Sequence, residues 1–326
     1  MELYSDVEFL QRFRFTKNAV LSVLSQLSLP DVTDNRGHPL PPMLKLLVTL
    51  RFYGAGAFQT GIGDLVKISQ PATCNAIWAV TRSIASELYP KYVKFPSASE
   101  APSVMARFHS IAGFQRVTGC IDCTHVPINS PGGSDAEVYR NRKGVFSINV
   151  QAITGPELQF FDIVASWPGS VHDSRIFENS RVRVLYEEGR IPGILLGDKG
   201  YPCSPFLLTP LSNPRTPPER RYNTSHIKTR NSVERTFGVW KRRFPCLRMK
   251  LQNKIERSAA IVCACAALHN VACALNDPCP NDGTDASEDD FSVPANRGDS
   301  LLGAQIRRSL IQTDFSGVHQ SNLDIA

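Results

Sequence analysis

No stretch of these 326 residues approaches the roughly 20 consecutive apolar residues that a bilayer-spanning helix needs. The first residues, Met1 to Asp6, show no basic region leading into an apolar core, so no secretory signal is expected. There is no Walker phosphate loop and no Gly-x-Ser-x-Gly elbow, which removes two common catalytic designs. Zinc is poorly served as well. Cys120 and Cys123 have the spacing of a ligand pair, but no second pair follows at zinc-site distance. The nine cysteines are odd in number and irregularly spaced, so they read as reduced thiols of an intracellular chain. No internal repeat is visible.

What is present is an ordinary globular composition, 42% hydrophobic and 20% charged, long enough for one large domain or two. The net charge of +6 is unevenly placed. Arg215 to Lys250 holds eleven lysines and arginines against two glutamates, whereas Asn276 to Asp299 holds seven acidic residues and one arginine. A concentrated basic segment suits a polyanionic partner, and the acidic stretch reads as a solvated linker.

Residues 1–95 read as helical. Ser5-Asp6-Val7-Glu8 has the form of a capping box, Val20, Leu24 and Leu27 recur at helical spacing, and 31–42 is a Pro/Gly-rich loop. Gly63 to Ile68 is a short helix candidate. Ser69 then caps a longer helix with Pro71 in its first turn and Ala76, Ile77, Val80 and Ile84 inward. Such a pair describes a helix-turn-helix-like unit, in which Gln70, Thr73, Asn75 and Arg82 face a DNA groove. The same pattern also occurs in plain helical bundles.

From about 113 the period changes. Val117 to Ile121 is an apolar run that ends at Asp122, as in a strand buried on both faces. Phe146 to Ala152 alternates as a half-buried strand, and Leu158 to Ala165 returns after the turn Thr154-Gly155-Pro156-Glu157. A helix is expected over 173–186, a short strand over 193–197, a loop over 205–222, and helices over 232–243 and about 255–275. Strand, hairpin, helix, strand, helix, helix is a mixed α/β order. The expected units are 1–95, 113–275 and an acidic linker with a C-terminal tail over 276–326.

Four carboxylates stand at exposed points of this plan: Asp122 and Asp198 at strand ends, Asp173 after a Gly-bearing loop, and Glu234 on a helix. Phosphodiester cleavage uses such a cluster, because hard Mg²⁺ or Mn²⁺ ions bind carboxylate oxygens and activate an attacking water. Three of the acids also have a plainer reading. Asp173 suits a helix N-cap, Glu234 the return member of a capping box from Asn231, and Asp198 simple turn chemistry. Asp122 resists one, since a carboxylate on a buried strand is costly unless paired or metal-bound.

The blocks Ile121-Asp122-Cys123-Thr124-His125-Val126, Val171-His172-Asp173-Ser174-Arg175, Gly197-Asp198-Lys199-Gly200-Tyr201 and Val233-Glu234-Arg235-Thr236-Phe237-Gly238 occur in this order. They resemble the Harbinger transposase-derived nucleases and PIF/Harbinger DDE transposases. Leu50 to Gly54 and Ile68 to Pro71 resemble the region before that family's catalytic domain, so the likeness spans roughly 40–275. The resemblance implies a ribonuclease-H-like mixed sheet with flanking helices behind an all-helical N-terminal part. It makes Asp122, Asp173 and Glu234 the catalytic triad and Asp198 a fourth ligand for Mg²⁺ or Mn²⁺. It further implies a metal-dependent DNA endonuclease, a Myb-like DNA-binding partner, and residence in the nucleus with the cytoplasm as a second location. The alternative is a domesticated DNA-binding or assembly protein whose catalysis is idle.

Cys123 stands where the family often has Gly. Its soft thiol is a poor Mg²⁺ ligand, and alternation aims it away from Asp122. Val233, Phe237, Trp240 and Phe244 form an apolar stripe on the helix of Glu234, which leaves Lys241, Arg242 and Arg243 for phosphates. Arg230 and Arg235 are open to pairing with the acids, and His125 and His172 flank the triad.

Overall fold

The computed structural model describes residues 3–29, 40–55, 68–280 and 298–316. Helices α1 (Asp6–Phe13), α2 (Lys17–Leu24), α3 (Pro42–Ala55) and α4 (Gln70–Ser83) come first. A π-helical turn, Ile84–Leu88, extends α4, and α5 (Ala101–Ala112) leads into the sheet. Ser5 and Glu8 form the expected capping box of α1. Ser69 caps α4 by accepting from the Ala72 N–H, and Ala76, Ile77, Val80 and Ile84 are all buried. Most of the Gly63–Ile68 helix candidate and of the loop expected over 31–42, and residues 281–297 of the acidic stretch, lie outside the described residues.

Among the described residues the sheet has five strands: β1 (Val117–Pro127), β2 (Ser147–Thr154), β3 (Phe160–Pro168), β4 (Ile194–Leu196) and β5 (Leu207–Leu208). Their order is β3-β2-β1-β4-β5. β1, β2 and β3 pair antiparallel, while β4 and β5 join parallel to β1. This is the ribonuclease-H-like α/β arrangement. Two short helices, α6 (Asp173–Glu178) and α7 (Arg181–Glu187), replace the single helix expected over 173–186. Ser180 stands between them and caps the second.

Three further expectations change. β1 does not stop at Asp122 but pairs with β2 as far as Pro127, so the aspartate lies mid-strand. β2 is buried along its whole length, because its polar residues Ser147, Asn149 and Gln151 face protein rather than water. The helix carrying Glu234 starts much earlier, as α8 (Pro217–Arg243), a single run of 27 residues. Pro217 and Pro218 read as loop in sequence, but in a first helical turn a missing N–H costs nothing. Thr216 accepts from the Glu219 N–H and Glu219 reaches back to Thr216, closing a capping box.

α9 (Ile255–Ala274) is, against expectation, long and apolar enough to cross a bilayer by length and composition. Most of it is instead buried in the protein, which is why it is apolar all round. The C-terminal part includes α10 (Leu301–Asp314), which packs on α8 and β5. There Arg307 pairs with Asp299 and donates to the Thr209 carbonyl. One apolar cluster runs from Phe9 of α1 through the sheet to Phe315.

Two core histidines carry a consequence for stability. His226 and His269 each place Nε2 at a backbone carbonyl, of Leu208 (3.0 Å) and Leu158 (2.7 Å), and leave Nδ1 buried without a partner. Protonation would put an unpartnered charged N–H into the core. Burial therefore pushes both rings from 6.5 down to about 4. The unfolded chain binds those protons first, so this contribution to stability is complete above pH 6.5 and is lost as pH falls towards 4. Each ring should cost on the order of 1–3 kcal/mol across that window. Denaturant unfolding of wild type and His226→Gln at several pH values checks this, and the variant should show the shallower loss. Parallel curves would remove His226 from the acid response.

Candidate active site

The centre forms where β1 meets α8. Strand alternation turns Cys120, Asp122 and Thr124 towards that helix. Cys120 Sγ meets the Thr229 carbonyl, Asp122 meets Arg230, and Thr124 Oγ1 accepts from Lys241 Nζ. On the helix, Arg230, Glu234 and Lys241 share one face at helical spacing. The next stripe, Val233, Phe237, Trp240 and Phe244, is buried as expected and holds α8 in place.

Arg230 is the hub. Its Nη1 donates to Asp122 Oδ2 at 2.8 Å, and its Nη2 pairs with Glu234 Oε1. Pairing of Arg230 with the acids, left open by the sequence, is thus observed; Arg235 is exposed. Glu234 lies in mid-helix, so the capping-box reading from Asn231 does not apply. Burial pushes the Asp122 carboxyl up to about 8, although Arg230 pulls the other way; the charges of Asp198 and Asp173 add to the rise. Burial opposes the Arg230 charge, yet Asp122, Glu234 and Asp198 raise its pKa. Two of the four predicted acids therefore pair with one guanidinium, Asp198 adds its charge to that cation, and Asp173 adds its charge at Asp122.

Asp173 is the first residue of α6 and His172 is the N-cap, so the cap reading fails by one position. Its Oδ1 accepts from Asn149 Nδ2 at 2.9 Å, and the same amide donates to the Val171 carbonyl. Asp198 follows β4, is buried, and accepts from the Gly200 N–H at 2.9 Å, so it does carry turn chemistry. Cys123 points away from α8 as expected, but it is not remote. Its Sγ lies 3.4 Å from the Tyr201 hydroxyl, and burial followed by the Asp173 charge keeps the thiol protonated.

Several residues here escape the sequence reading. Asn149 holds Asp173, and Gln151 lies on the same strand with both amide atoms buried and unpartnered. Only the alternation of Ser147, Asn149 and Gln151 hints at them, and alternation reads equally as a solvent face. His125 Nδ1 meets Ser147 Oγ at 2.9 Å, and Asn141 Nδ2 donates to the same hydroxyl. Gly169 is needed beside them, since a Cβ there would sit 2.3 Å from that Oγ. Arg142 donates to His172 Nδ1 at 2.6 Å, next to Asp173. Burial, then Lys241, Arg142 and Lys143, lower the His125 ring to about 4, which keeps it neutral.

The remaining candidates divide. Gln70, Asn75 and Arg82 are exposed on α4, but Thr73 is fully buried and faces no groove. Lys241 is half-buried on Thr124 and the His125 carbonyl, and Arg242 is half-buried. Arg243 is a correction. It is 3% exposed, pairs with Asp277 at 2.9 Å and donates to the Arg14 carbonyl, so it ties the chain together and reaches no phosphate.

The acids offer only hard oxygen donors, the set that suits Mg²⁺ or Mn²⁺. Among the described residues no three such groups converge at metal-ligating distance, because Arg230 stands between two of them. The donor chemistry fits a divalent ion, and the guanidinium is the cation that already answers their charge.

Arg243→Ala should lower unfolding free energy by about 3–5 kcal/mol, since it strands Asp277 in the core. The salt dependence of DNA binding by the folded protein should not change. A stability loss below about 1 kcal/mol in denaturant melts would contradict this account.

Comparison with known proteins gives the family of the chain. Residues 121–270, which contain all four acids, match the family described as DDE superfamily endonuclease. A rat protein (Rattus norvegicus) named "Putative nuclease HARBI1" is 33% identical over 297 residues, covering 86% of this chain and 82% of its own. The human protein of that name (Homo sapiens) is 35% identical, covering 73% and 69%. "Protein ALP1-like" of Arabidopsis thaliana is 27% identical, covering 75% and 64%. No solved structure matches. By that match and these relatives, the chain belongs to the Harbinger transposase-derived nucleases of the DDE endonuclease superfamily.

Proposed function

We propose that this protein is a metal-dependent DNA endonuclease whose catalytic acids are Asp122, Asp173 and Glu234, with Asp198 as a further metal ligand. The carrying observation is the convergence of Asp122 and Glu234, from a strand and a helix far apart in sequence, on one buried cation position. Bound Mg²⁺ or Mn²⁺ would activate the attacking water and stabilise the leaving oxygen. The chain's own residues do the rest. Asn149 fixes the Asp173 carboxylate, the Gly200 N–H fixes Asp198, and α8 sets the reach of Glu234. Hydrolysis by water leaves a 3′-hydroxyl, which in a transposase would attack target DNA.

A polyanionic substrate is supported by the charges around the acids. Lys199 follows Asp198, Arg175 lies two residues past Asp173, and Arg235 follows Glu234; all three are exposed. Arg220 and Lys228 continue the exposed basic side of α8. These residues replace Arg243 as candidates for phosphate contact. A Myb-like DNA-binding partner and nuclear residence belong to the same proposal through the family.

One observation favours the second reading, an idle site in a DNA-binding or assembly protein: Arg230 already occupies two of the acids. A nicking assay on supercoiled DNA with Mg²⁺ or Mn²⁺ separates the two. Asp122→Ala should lose at least about a hundredfold in rate, and equal cleavage by both proteins would remove Asp122 from the mechanism. Lys228→Gln with Arg235→Gln should weaken DNA binding and lower the slope of log K against log salt by about one for each phosphate no longer neutralised. An unchanged slope would place the DNA elsewhere.

A further inference from the structure

Arg230 joins two acids that come from different elements. Its Nη1 reaches Asp122 on β1 at 2.8 Å while Nη2 pairs with Glu234 one turn along α8. The guanidinium side chain is only 16% exposed, so water screens this charge poorly. Asp198 adds its charge from the β4 side. A planar fork with N–H donors in fixed directions can hold two carboxylates at a defined separation, which a point charge cannot. Its bonds are longer than the roughly 2.0–2.1 Å that Mg²⁺ demands of an oxygen ligand. The two acids are therefore held by the fork through its own longer bonds, not at the bond length that an ion would impose.

We propose that Arg230 is a built-in counter-cation of the acidic centre, holding Asp122 and Glu234 until a divalent metal displaces it. The inference rests on the metal-dependent reading above and adds a role for a residue outside the triad. Arg230 is a positioning residue here, acting through the two carboxylates. Two consequences oppose each other. Without a metal, Arg230 stabilises the fold by neutralising crowded acids; with a metal, it is a competitor that weakens the ion's hold. A guanidinium that merely braced the site would help metal binding, so its removal would loosen the ion.

The test is direct Mn²⁺ binding to the full chain, read from the loss of the free hexa-aquo Mn²⁺ signal in electron paramagnetic resonance. Wild type is compared with Arg230→Gln, Arg230→Lys and Asp122→Asn, alongside thermal melts with and without Mn²⁺. The expected result is a Kd for Mn²⁺ at least tenfold tighter in Arg230→Gln, with a lower metal-free Tm and a larger rise in Tm on adding Mn²⁺. Arg230→Lys should fall between the two, because one ammonium cannot bridge both acids. If the glutamine variant does not fold, tightening of threefold or more in the lysine variant supports the proposal. Equal or weaker binding there, or in Arg230→Gln, overturns it while Asp122-dependent binding keeps the metal reading intact. No Mn²⁺ binding by wild type or by any Arg230 variant overturns both.

Discussion

A carboxylate in the middle of an interior strand is the constraint from which the rest of the site follows. Asp122 sits on the central strand of the sheet, with apolar residues before it and a continuing ladder after it. Holding that charge out of water costs several kcal/mol unless partners compensate. The compensation comes from Arg230, 108 residues later in sequence, and from the Cys123 N–H at 2.8 Å. Arg230 can arrive only if α8 is long, straight and firmly seated. The Thr216–Glu219 capping box starts that helix, and the stripe from Val233 to Phe244 packs it down. The pair at Arg243 and Asp277 locks its far end. One helix thus delivers the counter-charge, the third acid and the basic residue Lys241.

The acids reach the centre by different routes, and this explains the unusual polarity of the sheet. Asp122 looks towards α8, whereas Asp173 stands beside Cys123, Tyr201 and Asn149. The sheet must therefore be polar around β1 and β2 at this end, and β2 contributes Ser147, Asn149 and Gln151 although it is buried throughout. Buried polar groups in such a place fix one arrangement where they are held by partners, as Ser147 Oγ and Asn149 Nδ2 are, while both amide atoms of Gln151 go unpartnered. The hydroxyl of Ser147 illustrates this, serving His125 and Asn141 together while Gly169 makes room.

The order of the acids and their elements was legible in sequence, because it depends on local apolar runs and on motif blocks. The capping box of α1, the cap of α4 and the inward stripe of α8 were legible for the same reason: each is a statement about neighbours three or four residues apart. The errors share a different cause. Whether Ser147, Asn149 and Gln151 face water, whether Thr73 faces a groove, and whether Arg243 is free all depend on what packs over them from distant sequence. Thr73 and Arg243 are polar residues whose burial is decided by remote elements, in the case of Arg243 by Asp277 and the Arg14 carbonyl. Pro217 and Pro218 mislead differently, since proline is equally at home in a loop and in a first helical turn.

The same electrostatics decides whether an acidic centre of this kind is a resting ion pair or a metal site. The Arg230 guanidinium pairs with Asp122 and Glu234 and feels the charge of Asp198. Asp173 is held by the neutral amide of Asn149, which leaves its charge uncompensated by that bond. Burial, with the charges of Asp198 and Asp173 added to it, raises the Asp122 carboxyl despite Arg230 beside it. A divalent ion at comparable distance doubles the attraction to every acid it faces, and the gain grows as the dielectric falls. Against this stand the reluctance of Mg²⁺ to shed water and the loss of the Arg230 bonds. Asp122 and Glu234 alone would leave those terms near balance, since the fork already satisfies both. Under the proposed metal-dependent reading, Asp173 would add the further charge that favours a divalent ion over the guanidinium, which would give a physical reason for carboxylates beyond the pair that Arg230 bridges.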